Sequence, residues 1–245
     1  MACSQMDELR YQNHLSLQGF NHETQEKISE LTFTIFGVGG LGSVCSLYLV
    51  NAGIGNINLV DYDSIDQSNL PRQIIYTPDQ VGENKARASK AKLSQFNPDT
   101  NITAYDERMT GEDLQNIVDK SDLVIDATDN LSSRLQINEA CYNANVIHIV
   151  GTAIRFEGQV MAFNHENMGP CLNCIYSLYD ENLEDCDGAG VLSTVAGTIG
   201  TLMANTSLKA SIGVDVFNEM LALDLKNNII QKISIKKDNN CDICI

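Results

Sequence analysis

Short apolar runs alternate with segments of helical spacing along the first 150 residues. The runs are rich in β-branched residues and predict buried strands at 31–37, 56–61, 102–107, 123–126 and 146–150. The spacing between them predicts helices at 41–52, 84–96, 111–119 and 131–144, preceded by polar amphipathic helices within 7–30. Strands and helices that alternate in this way indicate an α/β, Rossmann-like fold, a mostly parallel sheet with helices on both faces.

After about residue 151 the pattern changes. Two further strands are predicted at 159–164 and 229–235, with a cysteine-rich loop and one long helix between them. No linker rich in Pro, Ser or Gly interrupts the chain. We therefore predict a single domain over residues 1–245, composed of N-terminal helices at 1–30, an α/β core at 31–150 and a C-terminal part at 151–245.

The charge of the chain excludes several classes of partner. The 245 residues include 32 Asp and Glu against 16 Lys and Arg, a net charge of −16. Nucleic acids and anionic membranes need clustered positive charge, so neither is an expected partner. No signal peptide or apolar membrane span is visible, which predicts a cytoplasmic protein.

A glycine-rich motif, Gly37-Val38-Gly39-Gly40-Leu41-Gly42, follows the first predicted strand and opens a helix, and Asp61 ends the next strand. Glycines let the backbone approach a phosphate, and a carboxylate at that distance suits a ribose, so the motif predicts a nucleotide site. A glycine turn needed only for packing is the alternative. An NAD-dependent dehydrogenase would share the motif, although no hydride-transfer constellation follows it.

Positive charge in so acidic a chain is a second signal. Residues 68–73 read SNLPRQ, and a basic window follows at 85–92. Arg72 and Lys85 are candidate ligands of a triphosphate because each can neutralise phosphate charge. Lys85 is expected to be exposed without a ligand. Lys90 and Lys92 are expected to lie on a solvated helix face.

Two carboxylates, Asp126 and Asp129, leave a buried strand at its C-terminal end. Open α/β sheets bind ligands at this edge, and a carboxylate near phosphates can hold Mg²⁺. Asp129 is the better candidate for this ion because it lies beyond the strand. Asp126 can instead cap the turn.

Two Cys-x-x-Cys pairs, Cys171 with Cys174 and Cys241 with Cys244, are separated by 66 residues. Four thiolates at this spacing are typical of tetrahedral zinc, which would staple a C-terminal strand extension to the rest of the chain. Redox pairs or unrelated thiols are the alternatives. Cys186 has acidic neighbours that disfavour a thiolate, so locally it is a spare loop cysteine. A terminal thiol and two packed core residues are expected at Cys3, Cys45 and Cys141.

Together these motifs resemble the ThiF/MoeB/HesA family, the bacterial relatives of ubiquitin-activating enzymes. The resemblance covers nearly the whole chain and is slightly closer to MoeB because of the stretch 154–159. It is carried by Arg10-Tyr11, GVGGLG, Asp61, SNLPRQ, Lys85, ATDN at 127–130, IRFEGQ at 154–159, the four paired cysteines and Cys186-x-x-Ala189-Gly190.

The resemblance implies an adenylyltransferase that uses ATP, Mg²⁺ and Zn²⁺. Its implied substrate is the C-terminal Gly-Gly of a small ubiquitin-like sulfur carrier in molybdenum cofactor or thiamine biosynthesis, and a homodimer is implied. Residues 31–150 would be the nucleotide-binding core and 151–245 the carrier-binding, zinc-stapled part. Catalytic roles are implied for Arg72, Lys85, Asp129 and Cys186. Nucleotide binding is implied for Gly37, Gly39, Gly40, Gly42, Asp61, Asp63, Asn69, Arg72, Gln73, Lys85, Asp129 and Asn130. Zinc ligation is implied for Cys171, Cys174, Cys241 and Cys244.

One motif departs from the family pattern. The family opens with Arg-Tyr-x-Arg-Gln, whose second Arg reaches the partner subunit's ATP, whereas this chain has Asn13 there. Arg10 or a protonated His14 is the expected substitute. The alternative function is a nucleotide-binding scaffold that docks a carrier without activating it.

Overall fold

The computed structural model describes residues 5–165, 169–176 and 190–244. Eight strands form one sheet: β1 Thr32–Phe36, β2 Asn56–Val60, β3 Asn101–Tyr105, β4 Leu123–Asp126, β5 Ile147–Ile154, β6 Glu157–Phe163, β7 Glu219–Asp224 and β8 Ile229–Ser234. The strand order is β3-β2-β1-β4-β5-β6-β7-β8. Strands β1 to β5 are parallel and β6 to β8 antiparallel, which confirms the predicted mostly parallel α/β sheet.

The described helices are α1 Gln5–Leu15, α2 His22–Glu30, α3 Gly42–Ala52, α4 Lys85–Leu93, α5 Gly111–Val118, α6 Leu131–Ala144, α7 Asn173–Tyr176 and α8 Ser193–Ser211. The polar loop after β2 contains two short 3₁₀ helices, Gln67–Asn69 and Pro78–Gln80. Within the described ranges no helix has the length and hydropathy needed to cross a membrane.

Helices cover both faces of the sheet because side chains alternate along each strand. In β1, Phe33 and Ile35 pack in a core with α3, α4 and α8, whereas Phe36 packs on the opposite face with α5 and α6. Cys45 and Cys141 are fully buried on these opposite faces, as predicted for core cysteines. Burial raises the pKa of both thiols, so neither is a nucleophile at neutral pH.

The sequence pattern missed β7 and shortened β5. The segment of β7 reads EMLALD, whose Glu, Met, Leu and Ala favour helices in isolation. It is a strand because β6 and β8 pair with it on both sides. Strand β5 continues beyond the predicted end at residue 150 because residues 151–154 pair with β6 in a hairpin.

The order of the strands determines where a ligand can bind. Along the chain, β2 and β3 are added on one side of β1, while β4 and β5 are added on the other. The loops after β1 and β4 therefore lead away in opposite directions and leave a crevice between them at the carboxyl edge of the sheet. The glycine motif follows β1, and the ATDN segment follows β4.

Candidate active site

A cleft of about 480 Å³ lies at this crevice, a size that suits a small-molecule ligand. Of the twelve residues implied in nucleotide binding, all except Gly42 line it: Gly37, Gly39, Gly40, Asp61, Asp63, Asn69, Arg72, Gln73, Lys85, Asp129 and Asn130. Gly42 begins α3, just behind the glycine loop. The fold thus gathers residues from five separate segments around one space.

The glycines of the motif are needed for different physical reasons. Gly37 has φ +83, and a Cβ there would lie 2.8 Å from the carbonyl oxygen of Ala127. A Cβ on Gly42 would overlap the carbonyl oxygen of Gly37. At Gly39, in contrast, an added Cβ would meet only the side chain of Gln73, at 3.5 Å. The fold therefore requires Gly37 and Gly42, whereas Gly39 keeps the cleft open.

We expect Gly37→Ala and Gly39→Ala to separate these two roles. Gly37→Ala should lower the free energy of unfolding by about 1–3 kcal/mol, because a left-handed backbone and a backbone clash are both costly. Gly39→Ala should unfold like wild type but bind ATP more weakly, since its methyl group would occupy the cleft. Urea unfolding and calorimetric ATP titration of both variants measure this. Equal destabilisation by the two substitutions would contradict the distinction.

Three charged side chains meet at the end of β2. The buried Asp61 carboxylate accepts hydrogen bonds from the backbone N–H groups of Val38 (2.7 Å) and Asp63 (2.9 Å). Burial raises the pKa of Asp61, while the nearby Lys85 ammonium and these hydrogen bonds oppose the rise. Asp61 thus braces the glycine loop against β2 and presents its remaining acceptor capacity to the cleft.

The prediction that Lys85 is exposed was wrong. Its side chain is only 9% exposed, and its Nζ donates to Asp63 Oδ2 at 2.9 Å. The reason is that α4 begins inside the cleft. The N-cap residue Asn84 donates through Nδ2 to the Asp61 carbonyl, and the backbone N–H of Lys85 donates to the Asp63 carbonyl. The other basic positions agree better with expectation: Lys90 is exposed, and Lys92 is partly exposed above the Phe96 ring.

The SNLPRQ segment also lines the cleft, beside the glycine loop. Arg72 is held by a hydrogen bond from Nη1 to the Ser68 carbonyl at 3.0 Å, and Asn69 O accepts from the backbone N–H groups of Arg72 and Gln73. Gln73 is buried, and within the described part of the chain its Oε1 has no hydrogen-bond partner. A buried acceptor without a partner beside the glycine loop fits a bound donor such as a nucleotide hydroxyl or amine.

Asp126 and Asp129 have separate roles after β4. Asp126 Oδ1 accepts from Thr128 N (2.9 Å) and Thr128 Oγ1 (2.6 Å), so it caps the turn as the sequence allowed. Asp129 is exposed and lines the cleft, and the next residue, Asn130, caps α6 by accepting from Ser133 N. An exposed carboxylate beside a nucleotide cleft fits Mg²⁺, which prefers carboxylate and phosphate oxygens.

Two arginines lining the cleft were missed by the sequence reasoning, Arg108 and Arg134. Arg108 is exposed, whereas Arg134 is almost completely buried. A signal for Arg134 was available, because it stands four residues after Asn130 and such positions share one helix face.

The candidate substitutes for the missing family arginine lie away from their own cleft. Arg10 Nη2 donates to the Phe96 carbonyl at 2.7 Å, and His14 Nδ1 lies 3.2 Å from Gln25 Oε1. Neither residue lines the cleft of this chain. It stays a prediction that Arg10 or His14 reaches the ATP of a partner subunit.

The two Cys-x-x-Cys pairs form one buried cluster whose sulfur atoms lie within 4.8 Å of one another. The Sγ atoms of Cys171 and Cys241 are 3.6 Å apart, and those of Cys174 and Cys244 are 3.3 Å apart. Tetrahedral thiolates at the usual Zn–S distance would stand about 3.8 Å apart, whereas a disulfide needs about 2 Å. The arrangement fits a metal site and disfavours two independent redox pairs. Cys3 and Cys186 lie outside the described residues.

The thiols of this cluster are not equivalent. Burial tends to raise the pKa of Cys241, but the backbone N–H groups of Cys244 and Ile243 lower it to about 6. Burial raises the pKa of Cys171 to about 11. A cation bound among the four sulfurs would stabilise the thiolates together.

The glycine loop, the cleft between the loops after β1 and β4, and the Lys85–Asp63 pair inside it define a nucleotide-binding α/β enzyme. The chain belongs to the ThiF family, which matches residues 11–243. It is 34% identical over 243 residues to the molybdopterin-synthase adenylyltransferase of Salmonella typhimurium, covering 98% of each chain. It is also 34% identical over 239 residues to the sulfur carrier protein ThiS adenylyltransferase of Escherichia coli, covering 97% of this chain and 95% of that one.

The fold is also seen in a solved structure. E. coli MccB with succinimide superposes with a TM-score of 0.82 at 21% identity, covering 96% of this chain and 74% of that chain. The predicted resemblance and the predicted adenylyltransferase activity are thereby confirmed, and the dehydrogenase alternative is set aside.

Proposed function

We propose that this chain adenylates the C-terminal Gly-Gly carboxylate of a small ubiquitin-like sulfur carrier, acting as a cytoplasmic homodimer. The observation that carries the proposal is the cleft itself, in which the glycine loop, Arg72, Lys85 and Asp129 surround one space. The names of the relatives point to molybdopterin synthase and to ThiS as substrates. Identity to both relatives is 34%, so identity does not separate the two pathways. The stretch 154–159 leaves a slight preference for a MoeB-like enzyme.

The proposed reaction needs positioning and charge neutralisation. An oxygen of the carrier carboxylate forms a bond to the α-phosphorus of ATP, the bond from that phosphorus to the bridging oxygen breaks, and pyrophosphate leaves. A carboxylate is already ionised at pH 7, so no side-chain base is required. Arg72 and Lys85 would neutralise charge on the phosphates. Asp61 would bind the ribose, while Asn69, Gln73 and Asn130 would contact the nucleotide.

Two metal roles complete the proposal. Asp129 would hold Mg²⁺, which screens the phosphate oxygens when it is bound. Cys171, Cys174, Cys241 and Cys244 would hold a structural Zn²⁺, since four thiolates close a tetrahedral site and leave no position for a substrate. Cys186 has the family position of sulfur-transfer chemistry, and we expect adenylation to proceed without it. In a MoeB-like enzyme, which we favour slightly, carrier sulfuration would not need it either.

Exchange of labelled pyrophosphate into ATP tests the proposal. We expect the purified chain to catalyse exchange only when a carrier ending in Gly-Gly is present, because pyrophosphate re-forms ATP from the acyl-adenylate. Carriers of the molybdopterin and thiamine type should be assayed side by side, each with a control lacking its terminal glycine. A chain that binds both carrier and ATP but never exchanges would be the docking scaffold instead.

A further inference from the structure

A buried ion pair lies directly beneath the loop that carries Asp129. Asp126 is fully buried, Arg134 is 5% exposed, and Arg134 Nη1 lies 3.7 Å from Asp126 Oδ2. The buried His148 ring approaches the same oxygen, with Nε2 at 4.0 Å. Burial, with help from His165 and Arg134, lowers the pKa of His148, so the histidine is neutral. Among the described residues, Arg134 is the cation that balances Asp126. The other titratable neighbours are His165 and Cys141, which are neutral as well.

The second guanidinium nitrogen of Arg134 joins the loop after β4 to strand β5. Its Nη2 donates to the carbonyl oxygens of Thr128, beyond β4, and Gly151, on β5 at 3.0 Å. Asp126 holds the same Thr128 through its N–H and hydroxyl groups. Thr128, the residue before Asp129, is therefore held at its N–H by Asp126 and at its carbonyl by Arg134.

Stability alone does not account for this arrangement. Two buried charges lose their hydration, and replacing such a pair with apolar side chains is often neutral or stabilising. Arginine is also specific here, because its planar fork donates to two carbonyls while its charge lies 3.7 Å from a carboxylate, whereas a lysine has a single point charge. The Asp126–Arg134 pair instead fixes the geometry of the loop after β4, which lines the cleft.

We propose that Arg134, paired with Asp126, is a positioning residue that holds the Asp129 carboxylate where it can bind the Mg²⁺ of MgATP. The proposal rests on the proposed function for the role of Asp129. Asp126 does not line the cleft, and the guanidinium of Arg134 is directed to Asp126 and to the carbonyls of Thr128 and Gly151. Both act through the Thr128 backbone, and loosening that backbone would shift the Asp129 ligand.

The test is the Mg²⁺ dependence of ATP binding, measured by calorimetry without any carrier. In Arg134→Lys the charge that balances Asp126 remains, but one carbonyl contact is lost. We expect the half-maximal Mg²⁺ concentration to rise about 10-fold or more, since a misplacement of 1 Å can cost up to about 10²-fold. The affinity for ATP in EDTA should change much less than this. Arg87→Lys is the matched control, because Arg87 is exposed, pairs with Asp106 and lies outside the cleft.

A second variant covers the case in which Arg134→Lys does not fold. Asp126→Asn with Arg134→Met removes both charges together, and this folded double variant should show the same raised Mg²⁺ midpoint. A wild-type midpoint in either folded variant would overturn the proposal, and so would ATP binding by wild type that is independent of Mg²⁺. An equal loss of affinity in EDTA would reveal a general collapse of the cleft and also count against it. Failure of carrier-dependent exchange would refute the proposed function, but it would not change the measured effect of Arg134 on the Mg²⁺ midpoint.

Discussion

Lys85→Ala will reduce carrier-dependent pyrophosphate exchange by roughly 10²-fold or more, the cost of removing a preorganised charge from developing phosphate charge. Lys85 is the cation between Asp61 and Asp63 at this wall of the cleft. In the absence of a ligand the Lys85 ammonium pairs with Asp63. When ATP binds, it would instead pair with a phosphate oxygen. Without it, two carboxylates would face the triphosphate with no cation between them.

Folding of Lys85→Ala should largely survive, although for a different reason from the exposure first expected. The partner Asp63 is 49% exposed, so water can solvate its carboxylate, and the buried Asp61 keeps its hydrogen bonds from Val38 and Asp63. We expect the free energy of unfolding to fall by about 1 kcal/mol or less. Lys90→Ala, in the same helix but exposed, is the matched control and should exchange normally. Normal exchange by folded Lys85→Ala would remove Lys85 from the site.

Cys174→Ser will release the metal and loosen the chain from about residue 235 onward. Structural zinc in small peptides contributes about 10–16 kcal/mol at pH 7, so losing one of four thiolates removes a large part of the tail's attachment. All six residues of β8 are exposed, and Ile235 at the start of the tail is buried in a cluster with Phe163 and Leu172. Zinc analysis and hydrogen exchange over residues 235–244 measure both effects. ATP binding should persist because no member of the cysteine cluster lines the cleft.

Cys45→Ala is the control for this experiment, since Cys45 is equally buried but lies in the core beside α8, away from the cluster. It should retain one zinc per chain. Protein purified under reducing conditions, without chelators, that contains no zinc would rule out the structural metal. It would also return the redox interpretation of the two pairs to consideration.

The sequence alone determined the features that depend on neighbours along the chain. The β-branched runs of β1, β2 and β4 were located to within two residues, because burial on both faces selects such runs wherever they stand. The motif predicted a glycine turn after β1, and Gly37 there has the left-handed backbone that other residues adopt only with strain. The Cys-x-x-Cys spacing likewise indicates a metal knuckle before any fold is known.

Tertiary structure decided the features that depend on distant partners. Strand β7 is made of helix-favouring residues and exists because β6 and β8 pair with it. Lys85 is buried because residues 61–63 meet the start of α4, and Arg134 matters because Thr128 and Gly151 come within reach of one guanidinium. Local propensities amount to tenths of a kcal/mol per residue, whereas strand pairing and buried charge pairs involve several kcal/mol. The long-range contacts therefore prevail where the two disagree.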